Sequence, residues 1–398
     1  MSSQVLLTPS IITKESLVIL ENNLVAANRV NRKFENQFVK IGSSLTIRKP
    51  NRFTVRSGAG LAVQNIAEPS VTITINTQKG VDFQFTSTDL TLTVEEFSER
   101  YLKPAMATLA NQIDADVLAQ TLSISNYVGT PTVTPAAFST SVQLVGQRMD
   151  DNAAPQDNRN LVLNPAAYWA IANGLTPSFV MPTAKDALVK GYLATIGNFE
   201  MYMDQNVVRG NSAAHNSTVS MVITTAQGNG ASTSMFGGTP AETMALGEVF
   251  TVAGVFNVNP QSRVSTGVLK NFVVTASTTP SSSTWTVAFS PAIVTSGPYQ
   301  NVSGPASTGS AVTFLTGTTA TQTATIQNLA FTRDAFGLVM VPMEIPQGVD
   351  FSARETYRNI SLRVIRAYDI NNDVFPTRLD MLYGTTVYYD ELACRLGG

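Results

Sequence analysis

Asp369, Asn371, Asp373 and Asp380 are the residues whose types and spacing come nearest to metal chemistry. They fall at positions 1, 3, 5 and 12 of a calcium-loop count, where oxygen ligands would surround the ion. Position 6 is Val374, where the sharp turn needs glycine, and position 12 is Asp in place of a bidentate Glu. A turn between two strands accounts better for the run, so the sequence predicts no metal and no cofactor. Acid–base and nucleophilic chemistry is as poorly supplied. The single histidine, His215, sits in the turn-rich SAAHNST, and no nucleophile–base pair can be built without it. The single cysteine, Cys394, excludes a disulfide framework and a Cys-based zinc site. Neither a GxxxxGK[ST] loop nor a strand–GxGxxG–helix phosphate cradle is present. Asp114 with Asp116, and Asp150 with Asp151, read as solvated faces. No catalytic residue is expected, and the chain is not read as an enzyme.

The charge pattern is more informative than any motif. Only 14% of the 398 residues are charged, against a usual ~25%. Net charge is −2, which argues against a strongly basic nucleic-acid binder. Between Arg29 and Arg56 lie Arg29, Arg32, Lys33, Lys40, Arg48, Lys49, Arg52 and Arg56 with one acid, Glu35. Residues 57–100 reverse the sign with Glu68, Asp82, Asp89, Glu95, Glu96 and Glu99. Arg48, Lys49, Arg52 and Arg56 are therefore candidates to meet Glu95, Glu96 and Glu99 of a neighbouring copy. Two independently solvated faces are the plainer alternative. Part of the basic set could instead face nucleic-acid phosphates.

Residues 211–330 carry only Glu242, Glu248, Arg263 and Lys270. Strings such as QGNGAST, FGGTP, TTPSSS and SGPASTGS separate short β-type runs. The runs are VSMVIT, LGEVFTVAGVFNV, VLKNFVVTA, TWTVAF, AVTFLT and TATIQNLAF. Six such strands predict a small antiparallel barrel or sandwich inserted into a mixed chain. Gly228, Gly230, Gly237 and Gly238 are read as its turn glycines.

Outside the block, Ile12, Leu17, Leu20, Leu24 and Val25 predict an amphipathic helix, capped by Thr13 or Ser16. Residues 42–93 read as extended, with Val71, Ile73 and Ile75 alternating against Thr72, Thr74 and Asn76. Segment 42–70 has too few apolar residues to pack a core and needs a partner surface. Thr93 to Glu96 fits a capping box. Leu102, Met106, Leu109, Ile113 and Val117 then predict a long helix restarted at Pro104. RNLVLNP, FEMYMDQNVV, AFGLVMVPMEI, RNISLRVIRAYDI and DMLYGTTVYY read as strands, and PAAYWAIANGL as a short helix ending at Gly174. The N-terminus lacks the basic region and cleavage site of a signal peptide, and no window of 18 apolar residues predicts a membrane span.

TSTDLTLTVEEFSERYLKPAMATLANQIDADVLAQT resembles the end of the extended loop and the spine helix of tailed double-stranded-DNA phage major capsid proteins. The short-tailed, lambdoid-type coat branch is most similar. RNLVLNPAAYWAIANG, GYLATIGNFEMYMDQNVV, the block 211–330 and the returns NLAFTRDAFGLVMVPMEIP, RVIRAYDINND and TRLDMLYGTTVYYDELACRL follow in that branch's order. The resemblance implies an α+β, Hong Kong 97-type capsid fold with an inserted all-β barrel domain. Its parts would be an N-terminal arm (1–40), extended loop (41–85), peripheral domain with spine helix (86–150), axial domain (151–210), insertion (211–330) and return strands (331–398). It further implies self-assembly as hexamers and pentamers, with a scaffolding protein and a portal protein, into an icosahedral shell. That shell would enclose double-stranded DNA, held non-specifically, and would form in the host bacterial cytoplasm before becoming the virion. Lys49 and Lys79 lie where some relatives form isopeptide crosslinks, but this branch is not expected to crosslink. The competing readings are an adhesin or fibre module binding glycans or cell surfaces through 211–330, and a shell-type enzyme or cargo compartment.

Overall fold

A computed structural model describes residues 9–34, 44–61, 63, 64, 66, 68–86, 101–130, 138–174, 195–211, 221–238, 243–279, 283–316, 324–349 and 351–397. The fold is mixed α+β, and the chain divides into two compact units.

The first unit gathers Met1–Ile47, Ser70–Val117 and Phe336–Thr386. Its sheet runs Phe336–Met340, Val374–Val387, Ile360–Arg366, Phe351–Tyr357, and Thr77–Thr86 also pairs antiparallel along Val374–Val387. Helix α1 (Pro9–Asn23) packs on the two strands Phe351–Tyr357 and Ile360–Arg366. Leu17 and Leu20 are fully buried there, as the spacing required. Thr13 and Ser16 are not caps: the helix starts at Pro9, so both lie inside it and are buried. Helix α2 (Lys103–Ala119) buries Met106, Leu109, Ile113 and Val117 on the expected face. Asp114 corrects the reading of a solvated carboxylate. It is buried, and its two oxygens accept from the backbone N–H groups of Val25 and Ala27 at 2.7 Å each. Those donors lie just past the end of α1, so the carboxylate ties the chain leaving α1 to α2. Asp116 accepts from the Tyr383 hydroxyl.

The second unit gathers Arg48–Pro69, Leu118–Ala335 and Val387–Gly398. Its sheet runs Tyr127–Gly129, Ala393–Gly397, Ala324–Thr332, Arg159–Leu163, Phe199–Met203, Thr195–Ile196. All of Arg159–Leu163 and all but the first residue of Ala324–Thr332 are buried, as expected of strands covered on both faces. Helices α3 (Phe138–Asp151) and α4 (Pro165–Gly174) supply Val142, Val145, Met149 and Ile171 to that core.

The same unit holds a closed barrel. Its strands run Ala231–Gly237, Thr284–Ile293, Ser265–Val274, Val249–Val258, Ala311–Phe314, Met221–Ile223 and back to the first. Two sequence readings change here. TATIQNLAF is not a barrel strand but the central strand of the sheet. The sixth barrel strand is Ala231–Gly237, whose glycine flanks make it look like a turn. It nonetheless alternates exposed Thr233 and Met235 with buried Ser234 and Phe236. Gly237 therefore sits in a strand, where a Cβ would approach Thr224 Cγ2 to 2.5 Å. Phe250 centres the barrel core, with ring centroids 5.3–5.9 Å from Phe236, Phe272, Phe289 and Phe314.

Phe250→Ala should destabilise the barrel by about 3–5 kcal/mol, because the four rings packed around it cannot collapse into the space left. Val268→Ala, at a 40% exposed position, should change stability by less than about 0.5 kcal/mol. Urea unfolding followed by fluorescence of the buried Trp285 would check both.

Candidate assembly interface

The basic segment leads into a loop between two paired strands, Ser44–Arg48 and Ser70–Thr74. The loop is organised by its own polar groups. The Thr54 N–H donates to Gln64 Oε1 at 2.8 Å, and Gln64 Nε2 donates back to the Thr54 carbonyl at 2.6 Å. Arg56 donates to the carbonyls of Gly58 and Gly60, and Gly58 takes the left-handed φ of +87° that this tight turn needs. With the polar groups turned on one another, the large apolar side chains stand in solvent. Val55 is 96% exposed, Leu61 88% and Val63 83%, with Phe53 and Ile66 also exposed.

Each basic candidate has a partner in its own chain. Arg48 pairs with Glu68 at 2.9 Å, both exposed, a contact worth about 0–1 kcal/mol. Arg56 holds the turn just described. Lys49 lies 4.6 Å above the Tyr389 ring, and Arg52 pairs with Glu391. Partial burial lowers the Lys49 pKa, opposed by Asp390 and Glu391. Glu95, Glu96 and Glu99 lie outside the described residues, as do the capping box and His215.

The metal candidates separate. Asp369, Asn371 and Asp373 share one turn, where Asp369 accepts from the Asn371 N–H at 3.0 Å and from Asn372 Nδ2 at 2.7 Å. Tyr368 donates its hydroxyl to Asp373 at 3.0 Å. Asp380 lies buried within a strand, held by Arg363 at 2.7 Å and Arg378 at 2.8 Å. Its carboxylate lies over Gly80, where a Cβ would come within 2.7 Å of Asp380 Oδ1. Among the described residues no group of His, Cys, Asp and Glu could hold an ion. Burial pushes the Cys394 thiol up to about 12, far from a reactive thiolate.

One buried polar chain went unseen in the sequence. Lys270 Nζ donates to Asn257 Oδ1, Asn257 Nδ2 to Asn152 Oδ1, and Asn152 Nδ2 to Asn126 Oδ1, each at 3.1 Å. Asn126 Nδ2 ends the chain on the Ala393 carbonyl at 3.0 Å. All four side chains are buried, and they link the barrel to the end of α3 and to the C-terminal strand. The available signal was a lysine kept inside a block with almost no other charge.

A family model described as P22 coat protein, gene protein 5, matches residues 2–395. The chain belongs to the P22 coat protein family. It is a bacteriophage major capsid protein. No curated protein sequence matches it. Its fold is similar to a chain of Mycobacterium phage Che8 (TM-score 0.50, 12% identity, 94% of this chain and 90% of that one). Also similar are the capsid of cyanophage P-SCSP1u (0.43, 11%, 92% and 84%) and the CUS-3 coat protein I-domain (0.20, 24%, 26% and 98%).

In this coat protein the buried lysine gives a pH signature. Burial lowers the Lys270 pKa to about 8; Asp390 and Glu391 oppose that shift, and Arg148 and Arg52 add to it. Below pH 8 both folded and unfolded chains hold the proton, and the full cost of burying the charge is present. Between about 8 and the ordinary lysine value the unfolded chain holds more protons, so stability rises with pH. The rise should total about 3 kcal/mol. Lys270→Met should lack it, so the wild-type-minus-variant difference measured by urea unfolding at pH 7.5, 9 and 10.5 should climb in that order.

Proposed function

We propose that this coat protein is the shell-forming subunit of an icosahedral phage head, built on a Hong Kong 97-type capsid fold. Copies would join as hexamers and pentamers, guided by a scaffolding protein and joined by a portal, around double-stranded DNA. Assembly would take place in the host cytoplasm, and the finished shell is part of the virion. Residues 1–40 would serve as the arm, 41–85 as the extended loop, 86–150 as the peripheral domain, 151–210 with 331–398 as the axial part and its returns, and the barrel-bearing part of 211–330, ahead of the strand Ala324–Thr332, as the insertion. Its work is assembly, not catalysis.

The observation that carries this reading is the loop. Val55, Leu61 and Val63 form an apolar display held in shape by Thr54, Gln64 and Arg56. Because Thr54, Gln64 and Arg56 already bond within the loop, a neighbouring copy that covers it has fewer groups to order. Each side chain buried contributes about 1.5–3 kcal/mol, and the contact recurs at every copy. Among the basic candidates, Arg48 is the one most able to exchange partners, since its exposed pair with Glu68 costs little to break. Glu95, Glu96 and Glu99 of a neighbour are its proposed alternatives. Lys49 and Arg52 are held at the loop base.

The triple variant Val55→Asp, Leu61→Asp, Val63→Asp should leave the subunit's melting temperature unchanged, because these side chains touch little within it. Shell yield, counted by electron microscopy after co-expression with the scaffold, should fall at least about tenfold, from the burial lost at each contact. A normal yield of shells would overturn the reading.

A further inference from the structure

The chain up to Ile47 and again from Ser70 belongs to the first unit, whereas Arg48–Pro69 groups with the unit that holds the barrel. The contacts at the loop base explain why. From the C-terminal segment come Tyr389 beneath Lys49 and Glu391 beside Arg52. From the barrel come two more residues. The Tyr299 hydroxyl donates to Asn51 Oδ1 at 3.4 Å, and its ring centroid lies 5.9 Å from the Arg52 guanidinium. Arg263 Nη2 donates to the Phe53 carbonyl at 2.7 Å.

Arg263 is itself positioned by a built turn. It lies between the barrel strands Val249–Val258 and Ser265–Val274, in a turn organised by Asn259. Asn259 Oδ1 accepts from the N–H groups of Gln261 at 2.9 Å and Ser262 at 3.1 Å. The Arg263 N–H donates to the Asn259 carbonyl at 2.8 Å. Asn259 Nδ2 reaches the Asp151 carbonyl at 3.3 Å, which fixes the turn to the end of α3. Arg263 holds φ at +56°, a conformation L side chains rarely adopt. Its Nε is enclosed without a partner.

Beneath the loop base is a cleft of about 420 Å³, lined by Pro50, Phe53, Pro155, Pro260, Tyr389 and Leu392 among others. The base is therefore not packed solid, and the directional contacts above help to hold it. Arg263 is also one of only four charges in the block 211–330.

We propose that the inserted barrel acts as a clamp on the extended loop, with Arg263 and Tyr299 as the residues that position it. The barrel then contributes to assembly by holding the loop ready for the neighbouring copy. That consequence rests on the functional reading above, whereas the clamp itself does not. Limited trypsin digestion of the full-length subunit, with cleavage after Arg52 and Arg56 followed by mass spectrometry, tests the clamp. Arg263→Ala should speed loop cleavage about fivefold to tenfold, because cleavage tracks the population of the opened loop. Arg263→Lys, which keeps the charge but loses the planar fork, should fall between. Tyr299→Phe provides a milder variant that removes one hydroxyl, and it should speed cleavage about twofold, since its 3.4 Å bond is long. Trp285 fluorescence and melting temperature should match wild type in all three. Wild-type cleavage rates in both Arg263→Ala and Tyr299→Phe would overturn the clamp whatever happens to assembly. Faster cleavage with normal shell yield would overturn its role in assembly and leave the clamp standing. Failure of the loop-tip triple variant to block assembly would count against the functional reading alone.

Discussion

Arg209–Asn211 pairs antiparallel with the start of Ala324–Thr332, and the placement of the barrel depends on that pairing. The chain enters and leaves the excursion on adjacent strands, hydrogen-bonded to each other. An insertion whose ends meet leaves the host sheet undisturbed, and the closure entropy of a long excursion grows only slowly with its length. The exit strand then joins Arg159–Leu163 on one edge and Ala393–Gly397 on the other. Segments distant in sequence thus meet on one strand. The closeness is visible at Gly210, where a Cβ would come within 3.2 Å of Gln327 and 3.3 Å of Leu122.

Backbone pairing fixes where the barrel is attached but not how it is seated. The chain from Lys270 through Asn257, Asn152 and Asn126 supplies that constraint. Burying an ammonium against a neutral amide is costly, and the lowered Lys270 pKa expresses that cost. An apolar contact would be more stable yet would tolerate sliding. Each amide here has a fixed donor and acceptor, so displacement by a single residue would leave several polar groups unsatisfied. Arg395 acts in the same sense, donating Nε to the Ile124 carbonyl at 2.7 Å and Nη1 to the Gly247 carbonyl at 2.8 Å.

What the sequence disclosed follows the range of each interaction. The apolar spacing Met106, Leu109, Ile113, Val117 and the alternation around Ile73 are local, and both gave the right element. The barrel was legible because turn residues punctuate its strands, and it failed at Ala231–Gly237, where glycine and serine lie inside a strand. The basic segment was visible as a cluster, but Tyr389 and Glu391 stand more than 300 positions away and carry no local mark. Asp114 fails for the same reason. A carboxylate on a helix looks solvated until the donors at Val25 and Ala27, far back in the chain, are brought to it.

The threonine-rich, nearly uncharged block also has a physical account. Of its four charges, Lys270 is buried in the polar chain, Glu248 is buried with a carboxylate oxygen accepting from the Ala245 N–H at 2.7 Å, and Arg263 grips the loop. These three serve the interior or the loop base, so polarity on the barrel's outer face falls largely to hydroxyls. Threonine suits that face: its branched Cβ favours strands and its hydroxyl satisfies water. A surface of hydroxyls also carries little field, so like copies brought close together repel one another weakly. For a chain whose identical copies must crowd side by side, a neutral exterior and an inward use of charge answer the same constraint.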